Sequence, residues 1–390
     1  MQTTIKNEQN ILVVIVEGNI NSVNANAFDE EMKKLPGKAE GVILDVHGLE
    51  YISSAGLRVI LGLKKRCKEM DFRIIGANQE VMSVFDMTGF SEIMDIEPAM
   101  KEISIEGCEM IGKGACAECY RIDDERIVKL YYIHTDDSFI EHEKALAKKA
   151  FVMGIPTAIS YDIVSANGRK GVIYELIQSK TLGELIRSDQ SHLDQYIQMY
   201  ADTCKKVCSI HTDDPEIPSF KVAGRMDISN VRYLSEEEKD YLYRFLDMVP
   251  DYNSCVHGDL NINNIMVQNG ECCLIDMGEL STGIPVLDFS RILFSMVYAN
   301  TKPGTVNAFY KMPAEKVSVI FGKFVKAYFG CETIEEAMKK DPLVKWVHPL
   351  AWFRCCTGML RSDRWSEEFR KMAIEIFHEK LIPFVENNGR

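Results

Sequence analysis

Between Cys255 and Val267 the chain sets His257, Gly258 and Asp259 side by side and places Asn264 five positions after Asp259. Asp276 comes twelve positions after Asn264, behind an apolar run and two residues before Gly278. Phosphoryl transfer asks for such a set at one point in space. One carboxylate orients an attacking hydroxyl or takes its proton, while an amide and a second carboxylate hold the metal ions that bridge nucleotide phosphates. Asp259 is accordingly read as the catalytic base. Asn264 and Asp276 are read as ligands of Mg2+, a hard ion that prefers oxygen donors. His257 is read as an organiser of the loop rather than a proton-transfer group.

These residues need strands and helices to bring them together. Upstream, Gly112 and Gly114 lie between strand signals at 103–112 and 126–131, where glycines let backbone N–H groups approach phosphate oxygens. A helix is expected over 141–153, stopped by Gly154 and Pro156, then a strand over 172–177 and mostly helix after Leu182. Ser235 followed by Glu238 has the spacing of a capping box.

With its H-G-D-x-x-x-x-N form, this order of motifs resembles the aminoglycoside-phosphotransferase and choline-kinase branch of the protein-kinase-like superfamily; protein kinases carry H-R-D at the same place. The resemblance covers 104–390 and implies a two-lobed domain, with an N-lobe near 104–177 and a C-lobe near 178–390. It implies ATP and Mg2+ as cofactors. Gly112 and Gly114 match the glycine loop, whose third glycine is here Ala117, and Lys129 matches the phosphate-contacting lysine. Glu143 fits the spacing of its glutamate partner, with Glu141 as the fallback. Glu175 and Ile177 stand where the lobes join and backbone groups hold a base. Asp288 resembles an aspartate that supports the catalytic loop, and His211 a structural histidine. Only about ten residues separate Asp276 from Asp288 and no A-P-E follows, which favours a small or specially presented hydroxyl over a generic peptide.

The first hundred residues alternate strands and helices. Strands are expected over 10–18, 41–46 and 72–76, and helices over 25–34, broken at 35–37, over 55–69 and over 80–87. This is the pattern of a small α/β unit, a sheet covered by helices, ahead of the α+β two-lobed domain. Ser53 and Ser54 fall at a helix start, where phosphate is tolerated by the helix dipole while the surface changes sharply. Residues 1–99 resemble the STAS domain of bacterial anti-sigma-factor antagonists. The resemblance rests on Glu17 and Gly18 of the first strand, the run Ile52 to Arg58, and Phe85 to Phe90 near the end. In that family a serine in the strand-to-helix loop is phosphorylated by a partner kinase; Ser54 is the matching position. Ser53 stands where an aspartate is often found, and Asn21 where an acidic residue is common.

The chain has 390 residues, enough for two or three domains. A net charge of -13 argues against nucleic-acid or anionic-membrane partners. No basic start followed by an apolar core is visible, nor an apolar run of bilayer length, so a cytoplasmic protein is expected. Its twelve cysteines then read as thiols. Cys116 and Cys119 have metal-ligand spacing, but no second well-spaced pair follows nearby in sequence.

Three functions are compatible with these residues. The first is an ATP- and Mg2+-dependent phosphotransferase acting on the hydroxyl of a small molecule, with a STAS regulatory domain. The second is a protein-directed kinase acting on a STAS serine, Ser54 or a partner's. The third is a non-enzymatic anti-sigma-factor antagonist with a nucleotide-sensing domain. Retention of Lys129, Asp259, Asn264 and Asp276 weighs against the third.

Overall fold

The computed structural model of the chain describes residues 1–8, 11–35, 39–68, 70–114, 116–300, 306–307 and 309–389. It divides into two compact units, Met1–Ser104 and Ile105–Arg390. Pro36, Gly37 and Glu69, which the sequence reading used as helix limits, lie outside the described residues.

In the first unit five strands lie in the order β1 (Gln2–Glu8), β2 (Ile11–Ile20), β3 (Gly41–Ile52), β4 (Asp71–Ala77) and β5 (Asp95–Pro98). β1 runs antiparallel to β2, and β2 to β5 are mutually parallel. Parallel neighbours need crossovers, supplied by helices α1 (Ala25–Met32), α2 (Ser54–Arg66) and α3 (Gln79–Met87). Val14, Leu44 and Ile74 stand in register across the three central strands and are fully buried. Phe28, Ile60 and Phe85 from the three helices are equally buried in the same core. On α2 the buried stripe runs through Gly56, Leu57, Ile60 and Leu63, with Leu61 at its half-buried edge. Gly56 has a specific cause. A Cβ there would lie 2.5 Å from Ile20 Cγ2 and 2.9 Å from Ile52 Cγ1.

The second unit opens with an antiparallel sheet in which Ser160–Ala166, Arg169–Glu175, Arg126–Tyr131, Ala117–Arg121 and Met110–Lys113 follow one another. The strand expected over 103–112 is thus confined to its last residues, and its hairpin partner Ala117–Arg121 was not anticipated. The Asp137–Val152 helix packs beside this sheet. It starts four residues before the expected 141 because the Asp136 side chain accepts from Ser138 N and caps it. The rest is mainly helical around an aromatic core containing Tyr200, Phe245, Phe289 and Phe324, all fully buried. Ser235 and Glu238 form the expected capping box.

Two small ribbons interrupt these helices and carry the catalytic segment. Ser254–Val256 pairs with Ser281–Gly283, and Ile265–Gln268 pairs with Glu271–Leu274 through a turn at Asn269 and Gly270, both at positive φ. Asn-Gly at a two-residue turn matches the twist of the strands it joins.

Candidate active site

The hairpin fixes where the metal-type residues go. Asn264 immediately precedes one strand and Asp276 follows the other by two residues, with Ile265 opposite Leu274 and Ile275 N donating to Asn264 O at 3.0 Å. The twelve-residue gap in sequence therefore collapses to adjacency. Asp276 sits in the left-handed region (φ 66°), which aspartate tolerates better than most residues.

The loop before the hairpin is held at several points. Asp288, 3% exposed, accepts from His257 N and Gly258 N, each at 2.9 Å. Burial pushes its carboxyl up, and His257 with the two N–H groups pulls the other way. Asp259 N donates to His257 Nδ1 at 3.2 Å, so Nε2–H is left to donate to Ile275 O at 3.1 Å. His257 is fully buried between these two bonds. Tyr200 Oη donates to Leu260 O at 2.8 Å and ties the loop to the Leu193–Cys208 helix.

Asp259 is partly exposed. Asn264 Nδ2 donates to its backbone oxygen at 2.9 Å and to Oδ2 at 3.2 Å, which leaves the Asn264 carbonyl oxygen as the atom available to a cation. Oδ1 accepts from Arg291, whose Nη2 lies at 3.1 Å and Nε at 3.3 Å. The sequence reading overlooked Arg291. Its one signal was a position three residues after Asp288 on the Leu287–Leu293 helix, hence on the same face.

From the sheet side, Lys129 alternates with the fully buried Val128 and Leu130 along its strand. Its ammonium bonds Glu143 Oε1 and lies 3.1 Å from Asp276 Oδ1. Glu143 is 3% exposed and shares the buried stripe of the Asp137–Val152 helix with Ile140, Leu146, Ala147 and Ala150; Glu141 is exposed. A carboxylate in an apolar stripe needs a cation, and Lys129 is that cation. Burial works against the Lys129 charge, but the carboxylates of Asp276 and Glu143 more than offset it and hold the ammonium protonated. Gly112 lies in the Met110–Lys113 strand opposite Cys119, and the Gly114 hairpin closes by Gly114 N to Ala117 O at 2.8 Å. Glu175 ends its strand opposite Arg126 and its Oε2 accepts from Ile159 N at 3.2 Å; Ile177 is buried.

A second charge cluster borders the loop. Arg354 bridges Asp227 (2.9 Å) and Glu279 (2.7 Å), and Arg361 reaches Asp227 at 3.4 Å. Trp346 packs against Phe245, and Trp365 against Phe294 and Phe309, so these aromatics are largely core. In the first unit Ser53 caps α2 by accepting from Gly56 N at 3.3 Å, and Ser54 is its first residue and exposed.

Residues 111–312, more than half of the chain, match the model of the phosphotransferase enzyme family. The chain belongs to that family. The chain is thus a phosphotransferase. Residues 2–103 match the STAS domain, and the first unit is one. Over 99 residues it is 32% identical to BtrV of Bordetella bronchiseptica, described as an anti-sigma factor antagonist, a match covering 25% of this chain and 85% of that protein. Among solved structures, the phosphotransferase is similar to the ADP-bound aminoglycoside phosphotransferase APH(2'')-Ib, at 16% identity and a TM-score of 0.45 over 70% of this chain and 93% of that one. It is also similar to the amicoumacin kinase hAmiN in complex with AMP-PNP, Ca2+ and Ami, at 17% identity and a TM-score of 0.44 over 77% and 96% of the two chains. Among the described residues, no helix of the phosphotransferase is long and apolar enough to cross a membrane.

Proposed function

We propose that this phosphotransferase moves the γ-phosphoryl group of ATP to the hydroxyl of a small molecule and that its STAS domain regulates the transfer. The observation that carries the reading is the convergence of Lys129, Glu143 and Asp276 on one side and Asp259 with Asn264 on the other. Gly112, Gly114, Lys129, Glu175 and Ile177 are assigned to the nucleotide, with Glu143 holding Lys129 in place. The Asn264 carbonyl oxygen and the Asp276 carboxylate are assigned to Mg2+. One carboxylate and one amide suit an ion that takes its remaining ligands from water and phosphate. Mg·ATP supplies the phosphoryl group and the charge that offsets negative charge developing in transfer. Asp259 orients the acceptor hydroxyl and receives its proton. An anti-sigma factor or another STAS-binding protein is the partner we assign to the first unit, and a reducing cytoplasm is the setting the composition supports.

The test is turnover of ATP with Mg2+ by the full chain and by Asp259→Asn. Loss of turnover by about 10³-fold with ATP binding retained is the expected result, in the middle of the general-base range. Binding without turnover in the wild type, across a broad panel of hydroxyl acceptors, would overturn it. A second reading, transfer to a STAS serine, is favoured by the exposure of Ser54 with the capping done by Ser53. Intact-mass analysis after incubation with Mg·ATP decides it, since a gain of one phosphate that Ser54→Ala abolishes supports this reading over the first.

A further inference from the structure

We infer that Arg291 is a positioning residue for phosphoryl transfer, selecting which oxygen of Asp259 meets the acceptor. Both Nε and Nη2 point at the same atom, Oδ1, at 3.3 and 3.1 Å, while Asn264 Nδ2 holds Oδ2 at 3.2 Å. The Asp259 carboxylate is therefore fixed about its last torsion by two donors of different strength. The charged fork occupies Oδ1, and Oδ2, which accepts only a neutral amide, is left to engage the hydroxyl.

Arg291 has a choice of partners, which the surroundings narrow. Its guanidinium lies in the field of Glu279, Asp259 and Asp227. Arg354 already bridges Glu279 and Asp227, at 2.7 and 2.9 Å, and so leaves Asp259 as the carboxylate for Arg291 to bond. Phe294, one turn along from Ser290, supports the guanidinium from beneath, with its ring centroid 5.7 Å from the guanidinium carbon.

The same helix does a second job for the same loop. Asp288 takes the backbone N–H groups of His257 and Gly258, and Arg291, three residues on, takes the side chain of Asp259. Backbone and carboxylate are thus set by one rigid element rather than by the loop itself. Lys cannot replace this arrangement fully, because a single ammonium lacks the planar fork.

This inference rests on the function proposed above, and the experiment separates the two. Mg·ATP hydrolysis by the full chain, with water as acceptor, is measured for the wild type, Arg291→Ala and Arg291→Lys. We expect Arg291→Ala to lower kcat by 30-fold or more, on the order of what a misplacement near 1 Å costs, with KM for ATP within about twofold. Arg291→Lys should recover part of kcat, and guanidinium ion at millimolar concentration should raise Arg291→Ala but not the wild type. Loss of folding alone would lower the active fraction and so apparent kcat at unchanged KM, but would not respond to guanidinium, so the guanidinium response and the fraction folded by Trp fluorescence separate the two. If Arg291→Ala is unfolded, the Arg291→Lys split between kcat and KM decides. Wild-type kcat in either variant overturns the inference alone, as does a loss that guanidinium and Lys both leave unchanged. A wild-type chain that binds Mg·ATP but turns it over neither with water nor with any of the hydroxyl acceptors overturns the proposed function and this inference with it.

Discussion

Gly258→Ala tests the catalytic loop with the least chemical change. Gly258 has φ +82°, and a Cβ there would lie 2.4 Å from Glu279 O and 2.6 Å from Glu279 Cβ. A carbon–oxygen contact relaxes at about 3.3 Å, so loop and turn must part by about 0.9 Å. Left-handed backbone costs an alanine about 1–2 kcal/mol, and overpacking against main chain adds about 1–3 kcal/mol. The stiffer unfolded chain returns about 0.5 kcal/mol, which leaves a net loss of about 1.5–4.5 kcal/mol. The displacement falls next to Asp259, so turnover should drop about 10²-fold, the cost of a misplacement near 1 Å. Gly270→Ala is the internal control. Gly270 also has φ +82° but meets nothing within 4 Å, so only the backbone term of about 1 kcal/mol applies and turnover should fall less than tenfold. All three tryptophans, Trp346, Trp352 and Trp365, lie in the second unit, so their fluorescence in urea follows that unit's unfolding. Equal losses for the two variants, or a Gly258→Ala enzyme within twofold of the wild type, would refute the steric reasoning.

Two further outcomes follow from the ion pairs of the N-lobe. Lys129→Ala leaves Glu143 buried without its cation and should cost about 3–5 kcal/mol in the same unfolding experiment, whereas Glu143→Gln keeps the shape and should cost less; the reverse order would show that Lys129 is not what holds the buried carboxylate. Glu118 bonds Arg169 at 2.9 Å and Lys113 at 3.0 Å, and these cations, Arg169 first, hold its carboxyl down at about 2. Its folded value lies below its unfolded one, so its stabilising contribution is present above about pH 4.3 and is lost as pH falls towards 2. Amide exchange in Ala117–Arg121 should therefore be slower in the wild type than in Glu118→Gln at pH 6, with the gap narrowing below about pH 4 and closing towards pH 2. A constant gap would count against the pairing.

The parts legible in the sequence were those whose chemistry leaves few alternatives. Glu143 could be singled out because its place ahead of Gly154 and Pro156 fits the spacing of the resembled family, and in the structure its buried carboxylate bonds Lys129. The alternation of strands and helices in the first unit was equally readable, since Leu12, Val14 and Val16 bury one face of β2 with period two. Other elements carried too little apolar signal. β1 contributes mainly Thr3, Thr4 and Ile5 at a sheet edge, where backbone pairing with β2 rather than burial holds it. Ala117–Arg121 is half-buried and includes Glu118, whose stability comes from Lys113 and Arg169 outside the strand. Arg291 was hidden for a different reason. A lone arginine on a helix is ordinarily a solvated residue, and its partner Asp259 lies 32 positions away, a pairing that only the tertiary fold creates.

The short spacing from Asp276 to Asp288 gains a mechanical meaning once its residues are placed. After Asp276 a single turn, Met277–Glu279, sets Gly278 against the Glu143 side chain and Glu279 against Gly258. Ser281–Gly283 then pairs with Ser254–Val256, the strand that delivers His257 and Asp259, and the Leu287–Leu293 helix begins at once. Every residue of the interval is spent returning the chain from Asp276 to the loop it must support. A segment that docks a peptide would have to be inserted here, and the interval has no residues to spare for one. The brevity goes with a direct return from Asp276 to the loop that Asp288 and Arg291 hold by backbone and side chain. It fits the small hydroxyl acceptor proposed above. Beside the loop Arg354 pairs with both Asp227 and Glu279, and Arg361 reaches Asp227. On that proposal, an acceptor that met this cluster through ammonium groups would have to displace the arginine, whereas a polyol could hydrogen-bond to the paired groups as they stand.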